Sequence, residues 1–271
     1  MNFQERLLKA IPGGAHTYSR GFDQFPENAP QILKKGKGAY VFDENNIKYL
    51  DYGMALRAVN IGYANKAVNQ SAVEQIENGN NLIRASIVEL EAAELLISMI
   101  DSVDMVKFTK NGSTATTAAV KLSRAYTSKK IVLRCAEHPF FSYDDWFIGS
   151  TKMSSGVLQE DKDNTKLFNY NDITSLRVLF ERYPDEVACV ILEPSTTEHP
   201  KNDFLHKVKS LCAEFGAVFI LDEMITGFRW HLKGAQHYYG INADLCTFGK
   251  AMANGFSVAA VCGKREIMQL G

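Results

Sequence analysis

The stretch Ala217-Val-Phe-Ile-Leu-Asp222-Glu223-Met224-Ile-Thr-Gly-Phe-Arg229 places five apolar residues directly before two acids. Val187-Ala-Cys-Val-Ile-Leu192 is a run of the same kind, short and without polar alternation. A strand with one wet face alternates polar and apolar residues. A strand apolar throughout fits a parallel sheet covered by helices on both sides. Outward from these two runs the pattern repeats. Met105–Thr109 reads as a strand and Thr114–Tyr126 as a helix; Lys130–Cys135 is a strand, Ile173–Tyr183 a helix and Ala188–Leu192 a strand. Phe204–Phe215 is a helix and Ala217–Asp222 a strand. The spacing predicts an α/β fold, doubly wound, in which ligands sit beyond the carboxyl ends of the strands.

The segment before this alternation is different. Gly38-Ala-Tyr-Val-Phe-Asp-Glu-Asn-Asn-Ile-Lys-Tyr-Leu-Asp51 puts two alternating runs either side of an Asp/Asn-rich turn, a hairpin signal. From Lys66 the period becomes helical: Ala67, Val68, Ala72, Val73 and Ile76, then Ile87, Leu90, Ala93, Leu95, Leu96, Ile97 and Ile100. Two amphipathic helices are expected there.

The 271 residues carry 30 basic and 31 acidic side chains and are 46% hydrophobic, which excludes disordered and collagen-like chains. No run approaches the roughly 20 apolar residues of a membrane span. A net charge of −1 gives no electrostatic attraction to nucleic acid or an anionic membrane, so the expected partner is a small molecule or a protein. Cys135, Cys189, Cys212, Cys246 and Cys262 form no CxxC pair and read as core residues. The opening MNFQERLLKAIPGG has no apolar stretch of signal-peptide length, so the reducing cytoplasm is the expected compartment.

Three strand ends carry chemistry. In Lys110-Asn-Gly-Ser-Thr-Ala-Thr-Thr117, small residues and the start of a helix can make an anion site; Ser113 or Thr114 serving as an ordinary N-cap is the alternative. Asp222 and Glu223 end a buried strand, where an acid needs a cation, a metal or a protonated heterocycle, unless Asp222 caps the next turn. No His/Cys/carboxylate cluster of metal-ligand spacing surrounds them. In Asp244-Leu-Cys-Thr-Phe-Gly-Lys250-Ala-Met-Ala-Asn-Gly-Phe-Ser257, one lysine stands among apolar and small residues. Such a lysine suits a Schiff-base nucleophile, or else it packs its stem and sends its head to solvent. An anion cradle, a strand-end carboxylate and a desolvated lysine are the groups a phosphorylated pyridine aldehyde requires.

Asp222-Glu223-Met224-Ile225-Thr226-Gly227-Phe228-Arg229, with Thr247-Phe248-Gly249-Lys250 and Asn254-Gly255-Phe256, closely resembles the class-III aminotransferases of the fold-type-I pyridoxal-phosphate superfamily. Within them the sequence is most similar to the branch of glutamate-1-semialdehyde 2,1-aminomutase and its aminotransferase relatives. The resemblance runs nearly end to end, through Ile11-Pro-Gly-Gly14, the hairpin from Gly36-Lys-Gly38 to Tyr49-Leu-Asp-Tyr52, and Val106-Lys-Phe-Thr-Lys-Asn-Gly-Ser113. It implies pyridoxal 5'-phosphate as cofactor, a small-molecule amino donor and carbonyl acceptor, and a homodimer. It implies Lys250 as the Schiff-base lysine, Asp222 as partner of the pyridine nitrogen, and Gly112, Ser113 and Thr114 around the phosphate. Met224 falls where the family packs an apolar side chain on one ring face. Alignment by spacing puts His138 on the other face, within Ala136-Glu-His-Pro-Phe-Phe-Ser-Tyr143, where Phe140 or Phe141 is the alternative.

Two departures bear on the substrate. Where the aminomutase has a Ser-Trp pair, this chain reads Gly53-Met-Ala-Leu-Arg57-Ala58, and Arg57 is a candidate clamp for a carboxylate or phosphate. Glu193-Pro194 is kept, with Glu193 a substrate-side candidate, but Ser195-Thr-Thr-Glu198 lacks the family's usual amide. Ordinary transamination therefore competes with the mutase reaction. The family also continues past the position of Gly271. The expected organisation is an N-terminal arm and hairpin over 1–65, part of a small domain, and a large cofactor-binding domain over 66–271, incomplete at its C-terminus. A catalytically idle cofactor-binding or dimerisation fragment is the competing expectation.

Overall fold

The computed structural model describes residues 2–138 and 140–271; Pro139, in the segment that carries His138, lies outside them. The chain divides into two compact units, one up to Asn81 and one over Leu82–Gly271, each with its own sheet.

In the first unit, helix α1 (Phe3–Ala10) opens on a capping box. Asn2 Oδ1 accepts from the Glu5 amide at 2.8 Å and Glu5 Oε2 from the Asn2 amide at 3.1 Å, satisfying two donors that the helix cannot. Strands β1 (Leu33–Lys37), β2 (Tyr40–Asp43) and β3 (Lys48–Leu50) pair antiparallel in that order, and β2 and β3 form the expected hairpin. Asp43 shapes its turn, accepting through Oδ1 from the amides of Asn45 and Ile47 at 2.9 and 2.8 Å.

The next turn, α2 (Met54–Arg57), is wound the wrong way. Met54, Ala55, Leu56 and Arg57 have φ of 48°, 50°, 57° and 67°. Left-handed helix costs an L-residue about 1–2 kcal/mol, because Cβ crowds the following carbonyl, and it is normally visited one residue at a time. Asp51 holds this turn. Its Oδ1 accepts from the Gly53 amide at 2.8 Å, and its Oδ2 from the Ala55 amide at 3.3 Å and from the Tyr63 hydroxyl at 2.5 Å. Burial, reinforced by the bond to Asp51, pushes the Tyr63 phenol up to about 12. Helix α3 (Lys66–Glu77) follows, capped by Asn65.

The second unit begins with α4 (Ile87–Met99), opened by the capping box of Ser86 and Glu89. Strand β4 (Met105–Thr109) leads into α5 (Gly112–Thr127) and β5 (Ile131–Cys135). Short helices α6 (Asp145–Ile148) and α7 (Gln159–Asp163) precede β6 (Thr165–Phe168), α8 (Ile173–Arg182) and β7 (Val187–Leu192). Helix α9 (Phe204–Glu214), β8 (Val218–Asp222), α10 (Ala235–Tyr238), β9 (Leu245–Phe248), β10 (Ala259–Gly263) and α11 (Arg265–Met268) complete it.

The sheet order is β4-β10-β9-β8-β7-β5-β6. Five neighbouring strands, from β9 to β6, run parallel, while β10 is antiparallel to both β9 and β4. Two reversals bring β4 back to the common direction, so β4, β5, β7, β8 and β9 end on the same edge.

Successive residues of each central strand feed opposite layers. Leu133, Val190, Leu192, Phe219, Leu221 and Cys246 pack with α8 and α9, through Leu176, Phe180, Leu205 and Val208. Val132, Cys189, Ile191, Val218, Ile220 and Leu245 pack with α5, α6 and α11, through Ala119, Val120, Trp146, Phe147 and Ile267. This is the α/β fold expected from the apolar strands. All five cysteines are free and buried in it, and burial pushes the Cys189 and Cys246 thiols up to about 12.

Helix α4 departs from the amphipathic expectation. It is apolar on nearly every face and buries only Leu96, while Ile87, Val88, Leu90 and Leu95 are each more than half exposed. Helix α5 starts two residues before the expected Thr114, because Asn111 takes the cap: its Oδ1 accepts from the Thr114 amide at 2.9 Å.

The inverted turn yields a stability test. Arg57→Gly removes the crowded Cβ at φ 67°, whereas Arg57→Val adds branching there; chemical denaturation is expected to rank glycine above valine by about 2 kcal/mol. Equal midpoints would show that the turn is not left-handed in solution.

Candidate functional site

The common edge of the sheet gathers the residues singled out in the sequence. Asp222 is the last residue of β8 and is 2% exposed. Its Oδ1 accepts from the Met224 amide at 2.9 Å and from the Thr247 hydroxyl at 3.0 Å. The register pairs Asp222 with Thr247 across β8 and β9, so the second bond follows from the sheet itself. Burial pushes the Asp222 carboxyl up, and the Lys250 ammonium, the Met224 amide and the Thr247 hydroxyl pull it down.

Lys250 stands just past β9, half-buried, with φ 47°. A non-glycine residue in the left-handed region is strained, and such strain concentrates at functional positions. Lys250 lies close enough to Asp222 for its ammonium to favour the charged carboxylate.

Met224 joins three strand ends. A Cβ on Gly112 would lie 2.9 Å from its Sδ, and a Cβ on Gly249 would overlap the same atom. Met224 is 8% exposed and packs with Ala115 and Ala259. The turn after β4, the end of β8 and the residue before Lys250 therefore meet at one thioether, and a side chain at either glycine would displace it.

The first turn of α5 presents its amides to this region. Asn111 takes only the Thr114 amide, so no acceptor among the described residues is provided for the amides of Gly112 and Ser113. Ser113 is buried, accepting through Oγ from the Tyr143 amide at 3.3 Å and through its carbonyl from the Ser142 hydroxyl at 3.3 Å. Thr114 is exposed, with Oγ1 bonded to Asn111. Of the two acids after β8, Glu223 has a structural role. Fully buried, it accepts from the amides of Ala235 and Gln236 at 2.8 Å each and from the Thr226 hydroxyl, tying the loop after β8 to α10.

His138, beyond β5, is 2% exposed. Its Nδ1 accepts from the Glu193 amide at 3.0 Å, beyond β7, and its Nε2 has no hydrogen-bond partner among the described residues. Phe141 and Tyr170 pack around the ring at centroid distances of 5.9 and 5.2 Å. Burial pushes the imidazole down to about 4, with Arg134 adding to the shift and Glu137 opposing it. Phe141 is buried against Trp146 and Phe147, which leaves Phe140 as the exposed ring of the pair. Glu193 is buried at the end of β7. Arg57 belongs to the first unit and is exposed on α2.

Sequence reasoning missed Thr247 as the orienting partner of Asp222 and Glu223 as the anchor of the following loop. A threonine inside the apolar run Leu245-Cys-Thr-Phe248 was the available signal for the first. Gly234, at φ 83° with a Cβ position 2.6 Å from Glu223 Oε1, was a signal for the second that needs coordinates to read.

The chain matches the family described as Aminotransferase class-III over residues 23–271. It is 34% identical to a glutamate-1-semialdehyde 2,1-aminomutase of Wigglesworthia glossinidia brevipalpis, over 96% of this chain and 63% of that protein. It thus spans less than two thirds of that relative's length. Among solved structures, the PLP internal aldimine form of the FumI protein of Sphingopyxis sp. MTA144 superposes with a TM-score of 0.91 at 28% identity, covering 98% of this chain and 65% of the other. An omega-transaminase from Sphaerobacter thermophilus gives 0.89 at 26% identity, covering 99% and 64%. With the family match spanning nearly the whole chain and the strand-end residues in place, this protein belongs to the class-III aminotransferases.

Proposed function

We propose that the chain serves pyridoxal 5'-phosphate-dependent amino-group transfer between a small-molecule amino donor and a carbonyl acceptor. The observation that carries this reading is the buried Asp222 carboxylate, held by Thr247 and the Met224 amide and sharing its site with Lys250. The residues present fit the cofactor. Gly112 and Gly249 approach the apolar Met224 side chain closely, the first turn of α5 offers two amides to a phosphate, and His138 Nε2 is a buried polar atom awaiting a partner. When bound, pyridoxal phosphate supplies an electron sink that stabilises negative charge at the substrate Cα.

The protein's contribution is placement. Asp222 keeps the pyridine nitrogen protonated, and its burial strengthens that charge interaction. Gly112, Ser113 and Thr114 anchor the phosphate. Met224 would bear on one ring face, and Phe140, the exposed ring after His138, is the aromatic candidate for the other. Lys250 would hold the cofactor's aldehyde carbon and, as a free amine, would move the proton at the substrate Cα. Glu193, buried at the end of β7, is the substrate-side candidate.

The resemblance to aminomutases and transaminases leaves movement of the amino group within one molecule or between two as the choice a product panel decides. The exposed apolar face of α4 supports assembly as a homodimer, since patches of that kind mark contact surfaces. Five free buried thiols support a reducing, cytoplasmic setting.

The chain mixed with pyridoxal phosphate is expected to develop a visible absorbance band, and borohydride is expected to fix the cofactor on Lys250, as read by peptide mass spectrometry. Lys250→Ala should lose both and lower amino transfer from glutamate by roughly 10²–10⁴-fold. A fixed adduct on any other lysine overturns the assignment. Thr247→Val, which keeps the shape of a buried side chain and deletes one bond to Asp222, should bind cofactor more weakly while circular dichroism stays unchanged.

A further inference from the structure

His138 carries a feature that the anchoring residues above do not use. The Glu193 amide donates to Nδ1 at 3.0 Å, so Nδ1 is an acceptor and the proton of the neutral ring sits on Nε2. That N–H is buried and has no acceptor among the described residues. An unsatisfied buried donor costs on the order of 1–3 kcal/mol, and a ring 98% buried has no water shell to relieve it. With the imidazole pushed down to about 4 by burial, the ring offers one fixed donor and no charge at neutral pH.

The loop bearing His138 touches both flanks of the site. It bonds to the start of α5, where Thr116 Oγ1 donates to the Phe141 carbonyl at 2.9 Å and Ser113 Oγ accepts from the Tyr143 amide. It bonds to the end of β7 through Glu193. The sheet order then orients a pyridine ring. Asp222, the partner of the ring nitrogen, ends β8, and Lys250, the partner of the aldehyde opposite that nitrogen, follows β9. The phosphate arm and the ring hydroxyl sit on opposite sides of the nitrogen-to-aldehyde axis. The phosphate turn follows β4, on one side of β8 and β9 in the sheet, and β7 and β5 lie on the other. With the phosphate arm held at the turn after β4, the opposite, hydroxyl side of the ring is directed toward the ends of β7 and β5, where the His138 ring is bonded to the Glu193 amide.

The geometry points to His138 as the hydrogen-bond donor to the ring hydroxyl oxygen of bound pyridoxal phosphate, acting through its edge rather than by stacking its face. This rests on the cofactor reading above. A negative charge on that oxygen is stabilised by a fixed neutral donor, and the bond makes the cofactor's hold on the β7 side independent of the phosphate anchor.

The test is a cycle between protein and cofactor. Pyridoxal 5'-phosphate and its 3-deoxy analogue, in which hydrogen replaces the ring hydroxyl, are titrated into the parent chain and into His138→Phe, with binding read by fluorescence. The parent is expected to prefer the natural cofactor by roughly tenfold to a hundredfold, in line with a hydrogen bond to a charged group. His138→Phe is expected to discriminate by less than threefold, and His138→Gln to recover part of the preference. In the parent chain labelled with ¹⁵N-histidine, the His138 Nε2 resonance should shift on adding pyridoxal phosphate and stay in place with the 3-deoxy analogue. Undiminished discrimination by a folded His138→Phe overturns the proposal. If the variant does not fold, an unmoved Nε2 resonance in the parent overturns it. If the parent binds neither compound, the cofactor reading itself fails, a result distinct from binding without coupling to His138.

Discussion

A carboxylate buried at the end of a parallel strand is the constraint around which this site is arranged. Asp222 stands at 2% exposure, where an isolated charge is strongly disfavoured, and the fold compensates from three directions. A backbone amide two residues on and a hydroxyl on the neighbouring strand fix one oxygen, and the Lys250 ammonium supplies opposite charge. The pairing of Asp222 with Thr247 is a matter of register. A slip of one residue between β8 and β9 would remove the hydroxyl from the carboxylate and turn the core residues of β9 to the wrong layer. Site geometry and core packing are thus specified by the same alignment.

Met224 has a second organising role. Its side chain fills the space beside Gly112 and Gly249, so the turn after β4 and the backbone before Lys250 approach it more closely than any Cβ permits. Glycine at these two positions lets the Met224 thioether keep its place against both turns. The neighbouring Glu223 stabilises the loop leaving β8 by accepting from the amides at the start of α10, which sets the exit direction of the chain just after the acid.

Much of the scaffold was legible from pattern. Val187–Leu192 and Ala217–Leu221 are apolar at every position because alternate residues serve two cores, and this physical reason made the α/β reading secure. Asp222 and Lys250 were found because a strand end with an acid or a lone lysine breaks an apolar run, and Met224 came from the family resemblance alone. What escaped depends on three-dimensional partners. The cap at Asn111 in place of Ser113 or Thr114 is decided by the extended backbone of Asn111, and the exposure of α4 cannot be inferred from an apolar sequence that reads as core. Arg57 is a surface arginine by composition, and only its φ of 67° reveals that it ends a strained turn.

The antiparallel strand β10 has a consequence in time. It is the partner through which β4 joins the sheet, pairing Thr109 with Ala259 about 150 residues later. Until β10 leaves the ribosome, β4 and the turn it carries have no place in the sheet. At typical synthesis rates of about 5–20 residues per second, that interval lasts on the order of 10–30 seconds. During it the apolar strands β5, β7 and β8 can already pair side by side, while the turn after β4 waits outside. The turn proposed to hold the phosphate is therefore encoded early and assembled last, closing only when the strand after Lys250 is in place.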